Sequence, residues 1–258
     1  MTLAAIAIFR AMTRRQPWTW RDASTACGGA LEAVWLIATA IVVFIVSQLV
    51  LVPFIRTSDE GGVATVSTAA QVGSYAAAIG LVALLHLAGR GKLSLRIGAA
   101  RADVIPSIRW ALLAAMVAVP LTMTVNALVQ GVVLQFNNAP SVNPLLETLQ
   151  QTTSTSEALW GAAVAVLLAP LLEEILFRGH LQTASVRLLG RPGAILGVSL
   201  LFALIHPQTH QPAIFTLSVL LGIAYERTGR LWVPIFMHMC FNAVPVLLTV
   251  LIRTAGSS

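Results

Sequence analysis

Leu171-Leu172-Glu173-Glu174-Ile175-Leu176-Phe177-Arg178-Gly179 sets two adjacent carboxylates inside an apolar run that extends from about Ala158 to about Gln182. A run of that length is enough to cross a bilayer as a helix. Ionisable groups at such depth are costly, are usually paired, and point by default to a working site. Glu174 and Arg178 stand four apart, so on a helix they share a face in the favourable acid-before-base order. Glu173 is rotated from that pair by about 100° and must look elsewhere for water, a metal or a proton.

The rest of the composition agrees with a lipid environment. Of 258 residues, 57% are hydrophobic and only 10% are charged, against roughly 25% charged in an average soluble domain. The apolar stretches have the length of spanning helices, and no segment shows the alternating ten-residue pattern of an outer-membrane barrel. The fold class is therefore an all-α, polytopic transmembrane helical bundle. The net charge of +6 does not signal nucleic acid, because no basic face with interleaved aromatics is present. Cys27 and Cys240 are the only cysteines, which leaves neither a disulfide framework nor a cysteine metal site.

Working outward from the double glutamate, spans are expected at Leu31 to Ile55, Val66 to Ala88, Trp110 to Phe136, Ala158 to Gln182, Ala194 to His206, Ala213 to Tyr225 and Leu231 to Ile252. This makes seven, or eight if the N-terminal segment inserts. Residues 1–30 read as a cytoplasmic or interfacial lead-in, residues 31–157 as N-terminal transmembrane spans, and residues 158–252 as the core that carries the chemistry. Alternating the spans places the Arg90 to Arg109 loop, the Arg187/Arg191 turn, the Arg227/Arg230 turn and the N-terminus on one side. By the positive-inside rule that side is cytoplasmic, and the expected setting is that of an integral, multi-pass protein in a bacterial-type plasma membrane.

Four polar groups in apolar surroundings mark the last hundred residues: Glu173, His206, His238 and Asn242. His238 and Asn242 are four apart and share a helical face. One carboxylate and two imidazoles from three spans are a minimum set for activating water, with an amide to hold an oxyanion. Two schemes fit these residues. In the first, Glu173 is the general base, helped by His206, while His238 and Asn242 donate to the tetrahedral oxyanion. In the second, Glu173, His206 and His238 ligate zinc, with water in the open fourth position. The zincin motif His-Glu-x-x-His is absent, and the metal-free scheme is favoured. Glu174 and Arg178 read as a structural clamp and Phe202 as a supporting residue. His86 and His210 read as interfacial, and His180 as at most a support.

At these positions the chain resembles the family of intramembrane endopeptidases that groups type II CAAX prenyl proteases with bacteriocin-processing and immunity proteins, the CPBP or Abi family. Its motifs Glu-Glu-x-x-x-Arg, Phe-x-x-x-His and His-x-x-x-Asn stand in order as Glu173 to Arg178, Phe202 to His206 and His238 to Asn242. The resemblance spans roughly Ala158 to Leu251. It implies proteolysis in or near the bilayer, with Glu173 and His206 activating water and His238 and Asn242 stabilising the oxyanion. Members of the family have been described both as metalloproteases and as glutamate-type proteases. The substrate implied is a membrane-associated protein or peptide.

Two rival classes carry different expectations. In a non-catalytic membrane binding protein of the bacteriocin-immunity type, the polar cluster is inter-helix glue. In a proton-coupled transporter, Glu173 is a carrier, but the sequence lacks the internal repeat such folds commonly show. The topology itself is open to a direct check. A phosphatase that folds only outside the cytoplasm is expected to be inactive when fused after Arg101 and active when fused after Asn143, as measured by its enzymatic activity in intact cells.

Overall fold

The computed structural model describes residues 101–136 and 155–256, together with six isolated helical positions before them, from Ala38 to Gly80. The lead-in, most of the first two expected spans and most of the polar segment Asn137 to Glu157 lie outside the described residues. Everything described is helical or a connection between helices. In chain order the elements are α1 (Arg101–Gln135), α2 (Thr155–Ala163), a π-helical segment (Val164–Leu168), α3 (Ala169–Glu174) and a second π-helical segment (Ile175–Gln182). They continue as α4 (Thr183–Leu204), a 3-10 turn (Gln208–His210), α5 (Gln211–Thr228) and α6 (Trp232–Gly256).

Three stretches are long and apolar enough to cross a membrane: Ile105–Gln135, Ala158–Leu204 and Trp232–Ile252. The count of seven to eight spans is thus met only in part among the described residues. α1 begins at Arg101, nine residues before the expected start at Trp110. The difference has a simple reason: apolar patterning detects the part of a helix that enters lipid, whereas Arg, Ala and Ile on the polar approach are also compatible with helix.

The second stretch is not one straight rod. Gly190 adopts φ 67 and ψ 172, a conformation open to glycine because it lacks a Cβ. This break falls between Arg187 and Arg191, where the sequence places a basic turn. Its consequence is visible in the rings of Phe177 and Phe202, whose centroids are 4.8 Å apart. In an unbroken helix, residues 25 positions apart would be separated by about 37 Å. The chain therefore folds back at Gly190, and the end of α4 returns to the double-glutamate segment.

α5 starts with Pro212 in its first turn, where the missing N–H is no loss. It ends at Gly229, which has φ 63 and donates its N–H to the Tyr225 carbonyl at 2.8 Å. α1, α5 and α6 meet in a cluster of Ala111, Ala118, Leu217, Leu221, Val233 and Met237. Alanines on α1 permit the close helix approach on which association in lipid depends. A second cluster joins Tyr225, Leu231 and Ile235 to Leu171 and Ile175, fixing the double-glutamate helix against both α5 and α6. Large apolar side chains such as Leu128, Leu196, Leu200, Leu247 and Leu251 point outward, as a lipid-facing surface requires.

The connection between α4 and α5 carries His206 and His210 one after the other. Gln211 Nε2 donates to the His206 carbonyl at 3.0 Å, and His210 Nδ1 lies 3.2 Å from Thr209 Oγ1. His210, read as interfacial, is partly buried here. Burial first, and then the neighbouring His206, hold its imidazole below the ordinary histidine value. A histidine with a depressed folded value contributes stability that is complete above its unfolded value, about 6.5, and lost as pH falls through the folded one. The thermal midpoint in detergent is therefore expected to drop as pH falls below about 6.5, and to drop less in His210→Gln.

Candidate active site

The double glutamate lies at the junction of α3 and the second π segment. π-helical turns are rare and occur mostly as single-turn bulges, often at functional sites. Here two side chains take up carbonyls five residues back. His180 Nδ1 donates to the Ile175 carbonyl at 2.8 Å, and Thr183 Oγ1 donates to the Arg178 carbonyl at 3.0 Å.

Arg178 is fully buried, so its charge needs partners. Nη1 donates to Glu174 Oε1 at 2.7 Å, as the four-residue spacing predicts. Nη2 donates to Ser218 Oγ at 2.7 Å and to the Ser218 carbonyl at 3.1 Å, both on α5. The guanidinium carbon also lies 4.9 Å from the centre of the Phe202 ring, within cation–π range. Ser218 was missed by the sequence reading. Its only signal is a hydroxyl in the apolar run of α5.

His238 joins the two carboxylates, so that Glu174, read as a clamp for Arg178, also holds an imidazole. Nδ1 donates to Glu174 Oε1 at 3.0 Å, while Nε2 stands 3.7 Å from Glu173 Oε2. Adjacent residues diverge along a helix, but the two ring nitrogens of an imidazole diverge as well. One histidine from α6 therefore reaches both. Glu173, Glu174 and His238 are all buried, and Glu174 Oε1 serves two donors, Arg178 and His238.

His206 meets the same cluster through the Phe202 ring. The Phe202 ring centre is 4.8 Å from the His206 ring and 5.9 Å from the His238 ring. His206 Nδ1 donates to the Phe202 carbonyl at 2.7 Å. In the neutral ring this leaves Nε2 as an acceptor. Asn242, one turn beyond His238 on α6, donates from Nδ2 to the Ala165 carbonyl in the first π segment at 2.9 Å. A carboxamide has two N–H donors, so one remains after the amide has been oriented.

Among the described residues, no three His, Cys, Asp or Glu side chains stand where they could hold a metal ion. Of the set Glu173, His206 and His238, the first and last stand about as two ligands of one ion would: His238 bonds Glu174 through Nδ1, as metal-bound histidines commonly bond a carboxylate, and its Nε2 is 3.7 Å from Glu173 Oε2. His206 is not grouped with them, so the third protein ligand of a catalytic zinc is not in place among the described residues.

Comparisons with known proteins bear on the same segment. The chain is 31% identical over 86 residues to a protein of Bacillus subtilis (strain 168) named "Putative membrane peptidase YdiL". That alignment covers 33% of this chain and 35% of the relative. The chain thus spans about a third of the length of the relative it matches. No solved structure matches. Through residues 155–244, which carry Glu173, Glu174, Arg178, Phe202, His206, His238 and Asn242, the chain matches the type II CAAX prenyl endopeptidase Rce1-like family.

Proposed function

We propose that this protein is an intramembrane endopeptidase that hydrolyses a peptide bond of a membrane-associated protein or peptide by a metal-free mechanism. The observation that carries the reading is His238 held between the carboxylates of Glu173 and Glu174. In this reading the bundle has seven or eight spans with its N-terminus in the cytoplasm, and residues 158–252 form its catalytic core.

Glu173 takes a proton from water as the water attacks the scissile carbonyl, and His206 Nε2 assists as a second acceptor for that water. The tetrahedral oxyanion receives hydrogen bonds from His238 Nε2 and from the second Nδ2 hydrogen of Asn242. With Nδ1–H already given to Glu174, His238 donates from Nε2 only when it carries both protons. Glu173 and Glu174 on its two sides supply the opposite charge for that form, and Arg178 balances the second carboxylate. The proton on Glu173 then passes to the leaving amine as the C–N bond breaks. Fixed donors in a poorly hydrated site stabilise developing charge more than water does, because they need not reorganise.

Incubation of the purified protein with membrane-tethered peptides, followed by sequencing of the products, tests the proposal. Glu173→Gln keeps the shape of the side chain and removes the base, so cleavage is expected to fall by about 10²- to 10⁴-fold while the protein stays folded and inserted. Wild-type cleavage is expected to persist with a chelator present. Full activity of Glu173→Gln ends the catalytic assignment and returns the cluster to helix glue in a binding protein. Activity that vanishes with chelator and returns with zinc ends the metal-free one.

A further inference from the structure

Glu226 is a second fully buried carboxylate that the proposed chemistry does not use. It lies near the C-terminal end of α5, and Gln182 Nε2 donates to its Oε1 at 3.1 Å and to the Gly222 carbonyl at 3.1 Å. Arg191 Nε stands 3.7 Å from Glu226 Oε2. One residue along, Thr183 Oγ1 is 3.1 Å from the Tyr225 hydroxyl. Thr183 gives its own proton to the Arg178 carbonyl, so Tyr225 is the donor in that pair. Together with Arg178 on Ser218, these contacts form a ladder. Residues 178, 182 and 183 meet residues 218, 222, 225 and 226, which recur at the spacing of one face of α5.

The ladder runs along the segment whose backbone departs from the α-helix. Within Ile175–Gln182 the bond from His180 to the Ile175 carbonyl supports the wider turn locally, and the ladder ties that turn to α5. Rewinding as an ordinary α-helix would rotate the preceding residues against α5 by roughly the 100° that separates neighbours. Glu173 and Glu174 are the first residues to be moved by such a rotation. An apolar pair could fill the space of Gln182 and Glu226 at a lower desolvation cost, and the best-attested use of a buried polar contact is to fix register.

We infer that Gln182 and Glu226 are positioning residues that lock the second π segment onto α5, and so keep Glu173 and Glu174 in register with His238. As a statement about activity this rests on the proposed hydrolase reading; as a statement about the segment it does not. Gly222 belongs to the same lock, since a Cβ there would lie 2.8 Å from Gln182 Oε1 and 3.3 Å from Ile195 Cγ2.

The test uses the full chain in detergent, with two readouts on Gln182→Met, Glu226→Leu, Gly222→Ala and Glu226→Gln. Hydrogen exchange of amides 175–182, followed by mass spectrometry without substrate, reads the segment. Cleavage of a membrane-tethered peptide, normalised to folded protein, reads kcat and KM. The first three variants are expected to exchange faster across 175–182 and to lose about 10²-fold in kcat, the size of effect that a small misplacement of reacting groups produces, with KM unchanged. Glu226→Gln keeps the acceptor for Gln182 and is expected to restore both readouts. Unchanged exchange in Gln182→Met and Gly222→Ala overturns the inference. So does failure of the first three variants to fold while Glu226→Gln folds, because the contacts then hold the fold itself. A loosened segment with no cleavage by any form, wild type included, removes the hydrolase reading and leaves the lock in place.

Discussion

A single oxygen, Oε1 of Glu174, accepts from Arg178 at 2.7 Å and from His238 at 3.0 Å. It ties the double-glutamate helix to α6 directly and, through Arg178 and Ser218, to α5. A buried guanidinium without partners is strongly unfavourable, and removing one member of a buried pair leaves the other charge stranded. The three helices around the site are thus held at a fixed separation by charges that cannot be released into lipid. The orientation of His238 depends on that constraint, because the bond from Nδ1 sets which nitrogen faces Glu173.

The two π segments give the same constraint a backbone form. In each, a side chain engages a carbonyl of the loosened turn: Asn242 from α6 bonds the Ala165 carbonyl, while His180 within the second segment and Thr183 just after it take up carbonyls of that segment. A wider turn frees acceptors that an α-helix would satisfy internally, and in a bilayer no solvent stands ready to replace them. The site residues therefore serve twice. Asn242 presents an amide to the site and also repairs the helix that faces it.

Much of this was legible in the sequence. The apolar runs, the Arg187/Arg191 turn, the start of α6 and the Glu174–Arg178 pair follow from hydropathy and from four-residue spacing, which are local properties. The fold-back that brings Phe202 to Phe177 was readable only as a basic turn, because the φ of Gly190 is a tertiary outcome. The double engagement of His238 was not legible, since the direction of a side chain across helices has no periodic signature. Glu226 escaped attention for a different reason. In Tyr225-Glu226-Arg227 it sits beside bases at the end of a span and reads as an exposed turn residue, until burial against Gln182 shows otherwise.

Phe202 is the ring that the site's imidazoles and its buried guanidinium share. Its centroid lies 4.8 Å from the His206 ring, 5.9 Å from the His238 ring and 4.9 Å from the guanidinium carbon of Arg178. A hydrocarbon ring can neither accept nor release a proton, so Phe202 relays none between the two histidines. Any proton exchanged between them travels through a molecule that touches both, water or a bound peptide.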